Sequence, residues 1–319
     1  MKKLITYIFP IYNESGNIDL LYQTMQQLLQ QKATDYDFEL VFINDGSRDD
    51  SLQKLYALQQ QDNRIAVINF ARNFGHQLAV TAGLDYAHGD AVIIMDSDMQ
   101  DPPSVSFELI EKWQQGFDVV YAQRRTRQDS LFKKMSASVF YWVLWKVAEI
   151  TIPRNTGDFR LVDRKVVDTL KQFREHNRFL RGMVSYVGFR QAAVMFDRDK
   201  RHAGVTGYPL KKMLKFASDG ILGFSWAPLK LIGRVGYMFS ALSFLGIVYA
   251  IARKVLYPSQ VVSGWTFTTI VILMIGGIQM IMIGVLGSYI GRIYSEVQGR
   301  PLYIIESVRG TTKSDKAKR

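Results

Sequence analysis

The stretch Ala91-Val92-Ile93-Ile94-Met95-Asp96-Ser97-Asp98 fixes the reading of the fold. Five apolar residues in a row, with Gly89-Asp90 before them and Pro102-Pro103 after, describe a strand buried on both faces. Its carboxyl end delivers two carboxylates one residue apart, Asp96 and Asp98. In open α/β sheets ligands bind outside the carboxyl ends of the strands, so this is where a site belongs. Two acids separated by a small residue make a poor core and a good hard-cation site; Mg or Mn takes oxygen ligands, commonly one or two carboxylates plus substrate phosphates. The competing reading is a solvated strand end, because Asp and Ser are common turn residues.

Working toward the N-terminus, the segments alternate. Leu4 to Phe9 reads as a strand stopped by Pro10, and Asn13, Glu14 and Ser15 are capping residues for a helix from about Asn17 to Gln31. Phe38 to Ile43 is a strand ending in Asn44-Asp45-Gly46-Ser47. A helix from Asp50 to Gln61, a strand from Ile65 to Asn69 and a helix leading from Arg72-Asn73-Phe74-Gly75-His76 to Ala87 follow. This order predicts an α/β fold with a doubly wound, mostly parallel sheet. No G-x-G-x-x-G follows the first strand and no P-loop occurs, so neither a dinucleotide site nor a Walker site is indicated. The histidines (His76, His88, His176, His202) lack metal-ligand spacing and are assigned no chemistry.

Working toward the C-terminus, a strand from Asp118 to Ala122 runs into Gln123-Arg124-Arg125-Thr126-Arg127. Clustered arginines at a strand end suit phosphate oxygens, although a solvated basic loop has the same composition. The helix expected over 131–150 combines Lys133 and Lys134 with Phe140, Tyr141, Trp142 and Trp145, the pattern of a helix lying in a membrane interface. Arg124, Arg127 and Lys134 are therefore candidates to bind a lipid phosphate. Gly157-Asp158-Phe159-Arg160 is a second acidic centre, read as a loop. Asp197 to Gly207 reads as a mobile loop and Pro209 to Trp226, with Lys211, Lys212 and Lys215, as a second interfacial stretch.

The net charge of +11 favours acidic partners, and the absence of cysteine excludes disulfides, thiolate nucleophiles and thiolate metal sites. The N-terminus runs directly into a strand, without the apolar length of a signal peptide. Val235 to Ala252 and Phe267 to Ile290 carry no charged side chain, each close to the ~20 apolar residues that cross a bilayer. Two spans place both flanks on one side; Lys230, Arg234, Arg292 and Arg300 favour the cytoplasm, with Arg253 and Lys254 in the loop opposing. The expected organisation is a catalytic domain over 1–208, an amphipathic juxtamembrane helix over 209–232, a two-span hairpin over 233–292 and a C-terminal segment with a basic tail over 293–319. Basic residues beside membrane-facing aromatics argue against nucleic acid as the partner.

Pro10-Ile11-Tyr12-Asn13-Glu14, Asn44-Asp45-Gly46-Ser47, Asp96-Ser97-Asp98, Gln100-Asp101-Pro102-Pro103 and Gly157-Asp158-Phe159-Arg160 occur in the order seen in family 2 glycosyltransferases. Over about residues 4–305 the chain resembles the polyprenyl-phosphate glycosyltransferases, in particular the bactoprenol glucosyltransferase (GtrB-like) group related to dolichol-phosphate mannose synthase. The resemblance implies a GT-A domain on the cytoplasmic side of the cell (inner) membrane. It also implies an inverting transfer of a hexose, glucose from UDP-glucose, onto polyprenyl phosphate with Mg or Mn. Pro10, Tyr12, Glu14, Asp45 and Asp96 would line the nucleotide pocket, with Arg201 approaching the diphosphate. Asp96, Asp98 and Gln100 would hold the metal, Arg178 and Arg181 would close over the donor sugar and diphosphate, and Asp158 would be the catalytic residue on the acceptor side, with Asp98 beside it in the chemistry. Gly207 stands where the family commonly has lysine. A GDP-mannose or UDP-N-acetylhexosamine donor, a non-catalytic nucleotide-binding membrane scaffold, and a homo-oligomer paired through the hairpin are the readings left open.

Overall fold

The apolar runs do form strands. A computed structural model describes residues 2–125, 153, 156–197 and 265–310, with scattered positions between 229 and 248. Eight strands make one mixed sheet: β1 (Lys3–Ile11), β2 (Tyr36–Asn44), β3 (Ile65–Phe70), β4 (Ala91–Ile94), β5 (Val119–Arg124), β6 (Thr156–Asp163), β7 (Gln191–Phe196) and β8 (Ile305–Arg309), in the order β7-β5-β6-β4-β1-β2-β3-β8. Strands β4, β1, β2 and β3 are mutually parallel, while β6 runs antiparallel to β4 and β5, and β8 antiparallel to β3. The helices are α1 (Ile18–Gln30), α2 (Ser51–Gln61), α3 (His76–Tyr86), α4 (Val105–Gln114), α5 (Arg164–Leu170), α6 (Leu180–Tyr186) and the long α7 (Trp265–Val297).

The near-continuous apolar character of the central strands has the cause expected of parallel sheets, burial on both faces. Tyr7 and Phe9 face one core with Phe42 and Met25, and Ile8 and Val41 face the other with Val80 and Leu84. On the second face α3 approaches so closely that a Cβ on Gly83 would collide with the Ile8 side chain, so only glycine fits there.

Three sequence expectations need correcting. Pro10 does not end β1; it stays in register with Ile43 of β2. On its other side the pairing of β1 with β4 ends at Ile8 and Ile94, with Met95 N–H donating to the Ile8 carbonyl at 3.0 Å, so Pro10 lies beyond the β4 ladder. Asp158 lies not in a loop but in β6, a strand hidden from sequence reading because buried Arg160 interrupts its apolar pattern. Finally, residues 305–309 belong to the catalytic sheet as β8, so this domain does not close at residue 208. Tyr303 stacks on Phe70 with ring centroids 5.1 Å apart, and Tyr56 bonds Ser307 through their hydroxyls at 2.7 Å, fastening the returning chain.

Among the described residues one helix is long and apolar enough to cross a membrane, over Met274–Val297 within α7, and none of that stretch is buried. The other expected span, over 235–252, lies partly outside the described residues, and the interfacial helices over 131–150 and 209–226 and the tail over 311–319 lie wholly outside them.

Candidate active site

The antiparallel pairing of β4 with β6 brings the two acidic centres together. Ile94 stands opposite Arg160, so two residues further along β4 and two earlier in β6 the register carries Asp96 toward Asp158. Between them sits His76 at the start of α3: its Nε2 lies 3.1 Å from Asp158 Oδ2 and 3.7 Å from Asp96 Oδ1. Arg181 at the start of α6 donates from Nε to Asp158 Oδ1 at 2.8 Å, and buried Arg160 reaches 3.8 Å from the same oxygen. A single carboxylate thus faces three cationic side chains.

Burial disfavours charge on Asp158, but Arg181 and His76 outweigh it and hold the group well below the ordinary carboxylate range. Burial also works against a charge on His76, yet the bond to Asp158 and the charges of Asp96 and Asp158 push it up to about 9. Asp96 moves the other way. Burial raises it, His76 pulls it down, and the carboxylates of Asp158, Asp101 and Asp98 raise it again, to about 6.

The turn after β4 is tight. Met99 adopts φ 57°, a left-handed conformation uncommon for a non-glycine residue, and Gln100 N–H donates to Asp98 Oδ1 at 3.2 Å. Buried Asp101 lies 3.7 Å from Arg124 Nη2, which draws the first arginine of the basic loop into the acidic cluster.

On the other flank, loops after β1 and β2 interlock. Asn13 N–H donates to Ser47 Oγ at 3.0 Å, and Arg48 N–H donates to Asn13 Oδ1 at 2.8 Å. Tyr12 remains exposed, while Glu14 accepts from Asn17 Nδ2 at 2.5 Å. The Pro10 carbonyl accepts from Ser97 Oγ at 3.3 Å, which ties this flank to the Asp96 turn. Asp45 is buried and accepts from Phe74 N–H (2.7 Å), Gly75 N–H (2.9 Å) and Asn73 Nδ2 (3.0 Å). It therefore shapes the turn that presents His76, with capacity left for about one further donor. Gly46, at φ 64°, makes this possible: a Cβ there would lie 2.5 Å from the Arg72 and Asn73 backbone.

The structure thus gathers Asp96, Asp98, Asp101, Asp158, Arg124 and Arg181 at one edge, with Pro10 near the end of β1 and Tyr12, Glu14 and Asp45 on the adjoining loops. Arg178 turns elsewhere, donating to the Phe173 carbonyl at 2.5 Å. Arg127, Lys134 and Arg201 lie outside the described residues. Sequence reasoning missed His76, Asn73 and Gln77. The available signal was position rather than spacing: the loop after β3 opens at the same sheet edge as Asp96, and His76 is the first residue of the helix that follows.

No three His, Asp or Glu side chains among the described residues converge into a ready-made metal cage. The donor set nevertheless suits a hard cation that takes one or two carboxylates and completes its shell with phosphate oxygens, since Asp98 and Asp101 lie within electrostatic reach of Asp96 at the turn after β4.

The family described as Glycosyl transferase family 2 matches residues 6–171. The chain belongs to the family 2 glycosyltransferases and is a glycosyltransferase with a GT-A-like α/β fold. Within that family it groups with the bactoprenol glucosyl transferases (GtrB-like). The bactoprenol glucosyl transferase of Shigella phage SfII is 41% identical over 95% of this chain and 97% of its own length. The prophage bactoprenol glucosyl transferase homolog of Escherichia coli K12 is 40% identical over 96% and 99%, and the uncharacterized glycosyltransferase YkcC of Bacillus subtilis is 46% identical over 97% and 96%. Among solved structures, glucosyl-3-phosphoglycerate synthase of Mycobacterium tuberculosis overlaps with a TM-score of 0.46 at 16% identity, over 69% of this chain and 78% of that one.

Proposed function

We propose that the protein transfers glucose from UDP-glucose to polyprenyl phosphate, inverting the anomeric carbon to give a β-linked polyprenyl-phosphate sugar. The observation that carries this reading is the meeting of Asp96 and Asp158 through His76, one carboxylate suited to a cation-bound diphosphate and the other charge-balanced. The bactoprenol glucosyl transferases that the chain resembles support glucose as the sugar and a polyprenyl lipid as the acceptor. The exposed apolar surface of α7 suits a membrane-anchored enzyme with a lipid acceptor.

In this mechanism an acceptor phosphate oxygen attacks the anomeric carbon as its bond to the diphosphate oxygen breaks, and UDP leaves with the electron pair. Asp96 and Asp98, with Gln100 beside them, would hold Mg or Mn. The ion, when bound, supplies positive charge for the leaving diphosphate. Pro10, Tyr12, Glu14 and Asp45 line the nucleotide pocket, and Arg124, with Arg127 and Lys134, meets the acceptor phosphate. Arg178, Arg181 and Arg201 belong to the segments that close over the donor. Asp158, bonded to Arg181 and His76, is a weak base, and a phosphate acceptor is already anionic near neutral pH. Its part is therefore to fix the cationic side chains that receive the acceptor and the donor sugar.

The test is sugar transfer from radiolabelled UDP-glucose, UDP-N-acetylglucosamine and GDP-mannose to polyprenyl phosphate by purified full-length protein, with Mg or Mn and with EDTA. Metal-dependent labelling from UDP-glucose is expected. Labelling from another donor would overturn the sugar, and no transfer from any donor, with nucleotide still bound, would overturn the reaction.

A further inference from the structure

The long helix α7 ends against the catalytic domain, not beside it. Its last turn carries Glu296, and Gly299, at φ 59°, stops the helix in the left-handed conformation that glycine adopts without cost. Glu296 receives two bonds from one residue of the segment joining α5 to α6: the His176 N–H donates to Oε1 at 2.7 Å, and the ring Nδ1 lies 3.1 Å from Oε2. The other ring nitrogen, Nε2, lies 2.8 Å from the Arg300 carbonyl oxygen just past the helix end. A carboxylate and a carbonyl only accept, so both ring nitrogens must donate, and the imidazolium alone does that. A cation at the carboxyl end of a helix is also favoured by the helix dipole.

A second tie lies close by. Arg174, from the same segment, pairs with Asp85 at 2.8 and 3.1 Å, and the Tyr303 hydroxyl, from the chain leaving α7, donates to Asp85 at 2.7 Å. Asp85 stands near the end of α3, whose first turn carries His76 and Gln77. At that end Gln77 Oε1 accepts from Leu180 N–H at 3.0 Å, the residue beside Arg181. The segment from 171 to 179 is therefore held at its middle by the end of α7, and it delivers Arg181 to Asp158.

We infer that His176 and Glu296 are positioning residues for catalysis, a clasp through which the end of the long apolar helix sets Arg181 against Asp158. This rests on Asp158 being the acceptor-side carboxylate. The clasp couples the seating of α7 in a lipid surface to assembly of the acceptor side of the site, and leaves the nucleotide side, built on β1, β2 and β4, unaffected.

The test uses full-length protein in lipid nanodiscs carrying His176→Gln, Glu296→Gln, both together, and His176→Arg, whose guanidinium can donate to a carboxylate and a carbonyl at once. Each Gln variant is expected to lower kcat for polyprenyl phosphate about 10- to 100-fold, since misplacement of a positioning group acts on that scale, with UDP affinity within about twofold of the parent. The double variant should fall no further than the singles, because the two residues act through one contact, and His176→Arg should recover most of the loss. Unchanged kcat, additive losses, an equal loss of UDP affinity, or no recovery with arginine would overturn the clasp. A readout free of activity comes from a nitroxide at Tyr186→Cys, the exposed last residue of the largely buried α6, in a chain without native cysteine. Its mobility should rise with Glu296→Gln, and unchanged mobility would overturn the clasp. Parent protein that makes no lipid-linked sugar would instead overturn the reaction proposed above, leaving the nitroxide result to judge the clasp by itself.

Discussion

Asp96 and Asp158 sit at the same sheet edge and share one histidine, yet their surroundings push them in opposite directions. Asp96 is raised first by burial and further by the carboxylates of Asp158, Asp101 and Asp98, against the pull of His76, to about 6, while Asp158, which burial also raises, is faced by Arg181 and His76 and held well below the ordinary range. The difference lies in which elements supply the neighbours. The turn after β4 supplies acids, whereas the starts of α3 and α6 supply cations. Two residues of one type thus sit in opposite charge environments, and the proposed division into a cation-and-diphosphate side and an acceptor side rests on that difference.

This contrast can be broken at several points. Replacing Asp158 with Ala should cost most, at least about 10²-fold in kcat, the scale of a lost positioning group, with UDP binding retained when titrated by calorimetry; equal loss of binding would erase the division between the sides. Asp98→Asn should weaken Mn-supported UDP binding at least about tenfold, because a carboxylate ligand is lost, and EDTA should do the same to the parent. If metal makes no difference to UDP affinity in either protein, the cation side is misassigned. His76→Gln keeps one donor but loses the shared charge, so a smaller fall in kcat is expected, about tenfold by analogy with other charge-assisted bonds, with Mn-supported UDP affinity nearly intact. Gly46→Ala should destabilise by roughly 1–3 kcal/mol, lowering the midpoint of thermal unfolding, because its left-handed backbone and the Arg72–Asn73 turn leave no room for a methyl group.

The smallest effect expected is one of pH. The bond to Glu296, then the Arg300 carbonyl, raise His176 above its ordinary value against a small opposing burial effect. Glu296 faces the ring, and Glu175, with Arg178 beside it, lies within electrostatic reach of Glu296. A raised folded value stabilises the charged form. The stabilisation is present in full below about 6.5, the unfolded value, and fades as the pH rises through the raised folded one. Thermal melts of the parent should therefore lose stability over that alkaline window more steeply than those of His176→Gln; parallel curves would remove the charge from the clasp.

The central strands were legible in the sequence because burial on both faces leaves a simple record, an apolar run bounded by Gly and Pro. Asp96 and Asp98 were legible because a strand end announces its own direction. Asp158 was readable by family resemblance but not its strand, since β6 carries an arginine whose guanidinium is satisfied by the Gly157 carbonyl, 2.9 Å away, and so breaks the expected apolar pattern. His76 was illegible for a different reason. Its role depends on the pairing of β4 with β6, made by residues distant in sequence, and no local spacing encodes that pairing. Residues 305–309 were likewise short and charged, a poor strand in isolation, and become one only because β3 presents an open edge.

That open edge has a consequence for biosynthesis. β3 is made early and its partner β8 nearly last, after the whole of α7 has been synthesised. Until then the nascent domain exposes an unpaired strand of the kind that recruits other chains. Folding of the catalytic sheet is therefore completed only after the apolar helix has emerged and found its place. A ribosome stalled between the end of β7 and residue 305 would hold a domain with β1, β2 and β4 made and the β3 edge still open, a substrate for chaperones and proteases. The order in which the chain is written thus makes completion of the apolar helix a step that precedes the finished sheet.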